Sequence, residues 1–313
     1  MKEAVNRRMN VRTVGMCVVI IMCEALHAFG QVSMPEMQHI LYTTTRDGNF
    51  EVYIMNSDST GVRRLTEDPG TDFALNWSPD GTSILFYSDR AGNEDVWRMD
   101  LEGNGLVNLT NAPSSERAAA YSPDGSTIVF TSDRDGQTKD LYLMDADGSN
   151  VRRLTHNRVY CESPEWTTDG TRIIYTMLVP MDTLGKTFNG ELMILNADGS
   201  NPKQLTEREG FDSGADVSPD GTRIAFYGRS EAGNYDIFIM NMDGSGIMNL
   251  TDDATEDYSP SWSPDGQWVA FTSGSSANYD VWKMNLHTGQ KLRLTSQPKR
   301  DEAPYYRPIS QQR

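Results

Sequence analysis

A tight turn written five times constrains this chain more than any other feature. "WSPDG" begins at Trp77, "YSPDG" at Tyr121, "WTTDG" at Trp166, "VSPDG" at Val217 and "WSPDG" at Trp262, with leading residues 44, 45, 51 and 45 positions apart. In such a turn Pro presets φ, Asp can bond its own backbone and Gly admits positive φ. A β-branched or aromatic stretch follows each one, such as Ile84 to Tyr87 or Val269 to Thr272. A period near 44 built from strand-like segments predicts propeller blades.

The rest of the unit is equally regular. An acidic residue opens a third strand in each copy, at Glu51, Asp95, Asp140, Glu191, Asp236 and Asp280. A fourth strand ends in Leu-Thr six times, from Leu65 to Leu294, and six endings mean six blades. The first unit, from His39, has no turn motif before it. The C-terminal "EAPYYRPIS" supplies the missing piece, because Pro304, Tyr306 and Pro308 align with Pro260, Trp262 and Pro264. The fold expected is therefore all-β: a six-bladed β-propeller of four-stranded antiparallel blades, residues 39–313, closed by a C-terminal strand completing the first blade. Closure of that kind leaves no free sheet edge at the join.

The first thirty residues differ from the rest. Lys2, Arg7, Arg8 and Arg12 precede the apolar run "VGMCVVIIM", and small residues follow near "AFG". This order predicts a secretory signal over residues 1–30, cleaved after Gly30, and a short arm at 31–38. The apolar run is too short for a membrane span, which takes about 20 residues. A lipid on Cys23 is the weaker alternative, because bulky Met22 precedes it. Net charge is −16 for the whole chain and becomes −18 once the four basic and two acidic residues of the signal are gone. So acidic a balance argues against a nucleic-acid partner, which needs clustered Lys and Arg. Only Cys161 remains in the mature chain, so no disulfide framework is expected.

The stretch "WSPDGTSILFYSDRAGNEDVWRMD" followed by "LVNLT" resembles the repeat of TolB-type propellers in exported bacterial proteins, and the likeness runs over roughly residues 39–310. The resemblance implies a periplasmic or secreted binding module, linked to a Tol-type envelope or transport system. It also implies a central channel that accepts cations and peptide segments. Only Gln31 to Gln38 lie between the expected cleavage point and the first strand. The α/β domain that precedes the propeller in TolB is thus expected to be missing.

Five residues before each turn marker stand Asp72, Glu116, Cys161, Asp212, Asp257 and Asp301. Two residues further on all six units carry Ala, Ser or Gly, which fits strands crowding round an axis. The five carboxylates Asp72, Glu116, Asp212, Asp257 and Asp301 are the candidate site: a ring at one channel mouth, able to hold Ca²⁺ or another hard cation through oxygen ligands. The alternative is that each acid ties a turn within its own blade.

Enzyme signatures are thin. His156 and Cys161 lie on one connection without a third orienting group, and no "GxSxG" elbow is present. The reading that follows is a binding module, expected as a monomer, whose partner is an envelope or secreted protein, a peptide or a glycan. The alternative is an enzyme acting on a carbohydrate or peptide, with Asp72, Asp212 and Asp257 as acid and base. One unit carries extra length in "MLVPMDTLGKTFNG", Met177 to Gly190, an unusually apolar connection.

Overall fold

In the computed structural model the described residues are 37–136, 138–156, 159–181, 188–275 and 278–309. The expected signal at 1–30, positions 31–36 of the arm and positions 182–187 of the long connection lie outside them. The described residues of the unit Gln38–Arg313 carry strands β1 to β24 in chain order, arranged as six four-stranded antiparallel sheets. The innermost strands are β4 (Asp72–Trp77), β8 (Glu116–Tyr121), β12 (Cys161–Trp166), β16 (Asp212–Val217), β20 (Glu256–Trp262) and β24 (Asp301–Tyr306). They head blades two to six and, last, blade one.

Ring closure is as the sequence requires. β24 pairs antiparallel with β1 (His39–Thr44), with Ile40 opposite Tyr306 and Thr44 opposite Asp301. The recurring turn behaves as its residues dictate. Ser78 Oγ donates to Asp80 Oδ1 at 2.6 Å, the same oxygen accepts the Thr82 N–H at 3.0 Å, and Gly81 sits at φ 68°. The acid and the Leu-Thr ending belong to one device. In all six blades the Thr hydroxyl accepts the N–H of the residue after the acid at 2.9–3.0 Å. The same hydroxyl donates back to the acid in five of them, at 2.6 Å to Glu51 and 3.4 Å to Asp280 for example. The third and fourth strands are thereby pinned at a point where water is excluded.

The core is divided. Among the described residues six apolar clusters are found, each shared by two neighbouring blades, such as Leu41, Ile54, Trp77 and Phe86 between blades one and two. Trp77, Trp166 and Trp262 donate their indole N–H groups to Tyr305 O, Ala120 O and Asp216 O on the preceding inner strand, at 3.0, 3.3 and 3.2 Å. Tryptophan thus latches every second seam.

Two sequence expectations are refined. The small residues of the inner strands do more than reduce crowding. Each inner strand is bulged there, and Ala118, Ser163, Gly214, Ser259 and Ala303 take φ between 47° and 64°. A left-handed backbone selects against branched side chains. At Gly214 an added Cβ would also meet the Tyr227 ring at 2.7 Å. The long connection is partly strand: β13 (Arg172–Pro180) and β14 (Phe188–Asn196) are nine residues each, leaving Met181 and Phe188 exposed at the tip.

Candidate functional site: the channel mouth and throat

Where the inner strands begin, a cavity of about 260 Å³ opens on the axis, with Phe73, Tyr87, Arg117, Lys139, Tyr160 and Tyr227 among its walls. A larger space of about 1330 Å³ occupies the opposite end, among the recurring turns. Four side chains line both: Asn76, Glu165, Asp216 and Tyr305. They form the throat. All four stand one residue before the turn marker, where the other two blades carry Ala120 and Ser261.

The five predicted ring acids are placed at this end, each as the first or second residue of its inner strand, and each is fully buried. None lines either cavity. Each is bound instead by a cation: Arg90 Nη2 to Asp72 at 2.7 Å, Arg134 Nη2 to Glu116 at 3.4 Å, Arg208 Nη1 to Asp212 at 2.8 Å, Lys291 Nζ to Asp257 at 3.8 Å and Arg46 Nη2 to Asp301 at 3.2 Å. Among the described residues no three His, Cys, Asp or Glu side chains gather so as to hold a metal ion. In each acid one carboxylate oxygen stays buried without a hydrogen-bond partner. Burial accordingly pushes Asp212 up to about 7, and raises Asp72 and Asp257 as well. Asp72, Asp212 and Asp257, weighed above as acid and base, are fully buried and line neither cavity. His156 is exposed while Cys161, in the sixth ring position, is buried.

What the repeat pattern concealed lies one and four residues further along each inner strand. Position one carries Phe73, Arg117, Glu162, Ser213, Tyr258 and Glu302. Its neighbour across the seam precedes the third strand of the previous blade. Phe50 meets Phe73 with centroids 5.8 Å apart, Glu94 holds Arg117 through two bonds, and Tyr235 packs on Tyr258 at 5.3 Å. The mouth is therefore built from seam pairs that differ from blade to blade. The available signal was the set of positions where the six repeats disagree.

In the throat Asp216 accepts the Trp262 N–H at 2.5 Å, and Asn76 Nδ2 reaches Glu165 at 3.5 Å. Burial pushes Asp216 up to about 7, and burial together with the charge of Asp216 raises Glu165 well above the usual carboxylate range. The Tyr305 hydroxyl is raised too, by burial first and then by both carboxylates. A folded pKa above the unfolded one means that the folded state binds the extra proton. Stability from this group is present below the ordinary Asp value of 3.8 and is lost as pH rises toward 7. Asp216→Asn is expected to raise Tm at pH 8 and to leave it nearly unchanged at pH 4, as read by thermal unfolding. An equal shift at both pH values would show that the carboxylate is not the cause.

A closed six-bladed ring of four-stranded antiparallel sheets defines a β-propeller. The chain belongs to the PD40 family, the TolB β-propeller domain, which matches residues 27–112, 92–180 and 191–312. TolB from Acinetobacter baumannii superposes with a TM-score of 0.74 at 22% identity, over 97% of this chain and 75% of that one. A TolB-type chain from Agrobacterium tumefaciens gives 0.66 at 23%, over 87% and 99%. Hydrazine synthase from Kuenenia stuttgartiensis gives 0.73 at 14%, over 88% and 47%. Comparison with curated proteins gave no match.

Proposed function

We propose that this propeller is an exported interaction module that binds a protein, peptide or glycan at the channel mouth and serves a Tol-type envelope or transport system. The observation that carries the reading is the mouth cavity itself. Its walls come from every blade, so it exists only in the closed ring, and they combine aromatic faces with charged groups. Such convergence of apolar walls and a few polar groups is the usual form of a binding site. The basic flank and short apolar run before Gln31 support export. No helix among the described residues is long and apolar enough to cross a membrane.

The test uses one substitution at a position that already accepts aromatic residues. Glu162 corresponds to Phe73 in blade two and Tyr258 in blade six. Glu162→Trp is expected to keep the fold and fill the mouth. Wild-type protein recovered from the periplasm should begin at or near Gln31 by mass spectrometry and carry a partner across affinity purification. The tryptophan variant should begin at the same residue and lose that partner. An intact Met1 terminus would defeat export, and identical partners for both proteins would move binding away from the mouth.

A further inference from the structure

Basic side chains at this end of the channel are almost all engaged. Arg46, Arg90, Arg134, Arg208 and Lys291 hold the inner-strand acids, and Arg117 is held by Glu94. Of the two basic side chains among the described residues that line the mouth cavity, Arg117 and Lys139, only Lys139 is not so held. It is half-buried and lines the mouth cavity, and its ammonium makes no ion pair or hydrogen bond with any described residue. Its place in the chain explains why. Lys139 occupies the seam position whose counterparts Phe50, Glu94 and Tyr235 each pair with the inner strand of the next blade. Its own counterpart there is Glu162, whose charge lies close enough to the Tyr160 hydroxyl to raise its pKa, after burial. The charges that bear on Lys139 are Arg117, which opposes it, and Glu94, Asp133 and Glu162, which favour it without reaching it. Burial, with Arg117 second, holds its ammonium below the usual lysine value. An ammonium so placed gains more from a bound anion than an exposed one does, because desolvation strengthens the pairing.

The surroundings narrow the anion to a carboxylate on a sugar. Tyr87, Tyr160 and Tyr227 line the cavity; Tyr87 is stacked on Phe73 at 5.3 Å and carries the Arg117 guanidinium 5.2 Å from its ring centroid, while Tyr227 stacks on Phe211 at 6.5 Å. Aromatic faces of this kind take the C–H face of a pyranose ring. At the floor, Glu165 and Asp216 accept hydrogen bonds, and sugar hydroxyls are donors suited to them. An extended peptide fits less well. Binding by strand addition needs a straight run of backbone groups, and every inner strand is broken by its bulge at that point. A volume of about 260 Å³ suits the end of a chain better than its middle.

We propose that the channel mouth is a receptor for the end of an acidic, uronate-bearing saccharide, with Lys139 as the carboxylate anchor, the tyrosines as ring platforms and the throat carboxyls as hydroxyl acceptors. The proposal rests on the mouth being a binding site and names its ligand.

Calorimetry with tri-galacturonic acid, its methyl ester and tri-glutamate tests it on the folded protein. The acid is expected to bind at least about tenfold more tightly than the ester, a difference of about 1.4 kcal/mol. Lys139→Gln should lower affinity for the acid by about the same factor and leave the ester unchanged, while Lys139→Arg should retain most of the preference. Near-identical unfolding curves for the variants establish that the fold is intact. Equal binding of acid and ester, equal binding by wild type and Lys139→Gln, or no heat with any saccharide would overturn the inference. Binding of tri-glutamate in place of the saccharide would overturn it in favour of an acidic peptide. If the saccharide fails while Glu162→Trp still abolishes partner capture, the interaction module stands and only its ligand class falls.

Discussion

Removing Glu302 to Arg313 is expected to cost the protein its cooperative unfolding. The truncation strips blade one of nearly all of β24, leaving Ile40 and Leu41 of β1 with unpaired backbone and an uncovered face. Tyr306, buried among Ile40, Tyr53 and Leu294, leaves the cluster between blades six and one. Trp77 loses the Tyr305 carbonyl that its indole binds at 3.0 Å, and the Ser261 hydroxyl loses the Tyr306 N–H. Each large buried side chain contributes about 1.5–3 kcal/mol, and a domain of this kind holds only about 5–15 kcal/mol in total. Two seams fail together, so the loss is a large part of the whole. The shortened chain should aggregate through the exposed edge or melt over a broad range by calorimetry. A sharp transition at the wild-type temperature would mean that closure contributes little.

Arg90→Ala should be the most damaging single change among the cation partners. Asp72 is fully buried, and Arg90 is its only ion-pair partner among the described residues, at 2.7 Å. The guanidinium also lies 5.2 Å from the centroids of Phe86 and Trp97. Removing one partner of a buried pair typically costs about 3–5 kcal/mol, because the remaining charge is uncompensated. A value near 3 is expected here, since burial already raises the Asp72 pKa and protonation offers partial relief. Asp72→Asn should cost less, as it leaves the cation on the more exposed side. Denaturant unfolding of both variants reads the asymmetry, and equal losses would mean that the pair acts through packing alone. A different double variant decides the cation role expected for the ring. Engaged carboxylates should give no rise of Tm with added Ca²⁺ in wild type or in Asp212→Asn/Asp257→Asn. A rise in wild type that the double variant lacks would restore the ring as a Ca²⁺ site.

Much of the architecture could be read from residue types alone, because a propeller is a local unit repeated. Ser-Pro-Asp-Gly closes its hairpin within about five residues, and the acid reaches the Leu-Thr hydroxyl about fifteen residues on, so composition and spacing suffice for both. The closing strand was legible for the same reason: "APYYRP" keeps the Pro and aromatic spacing of "SPSWSP". The partners of two ring acids were within reach but unread. Arg90 and Arg134 follow Asp72 and Glu116 at a constant 18 residues, in a repeated "SDR". The mouth and throat were not legible at all. Asn76 meets Glu165 across 89 residues, and Trp262 meets Asp216 across 46. Such meetings depend on which inner strands the closed ring sets around one axis. Lys139, Glu165 and Asp216 stand where the repeats disagree, so the period that reveals the fold averages them away. Periodicity determined the scaffold because it is set by short-range hydrogen bonding. Only the ring decided the site, because burial and charge at an axis are sums over all six blades.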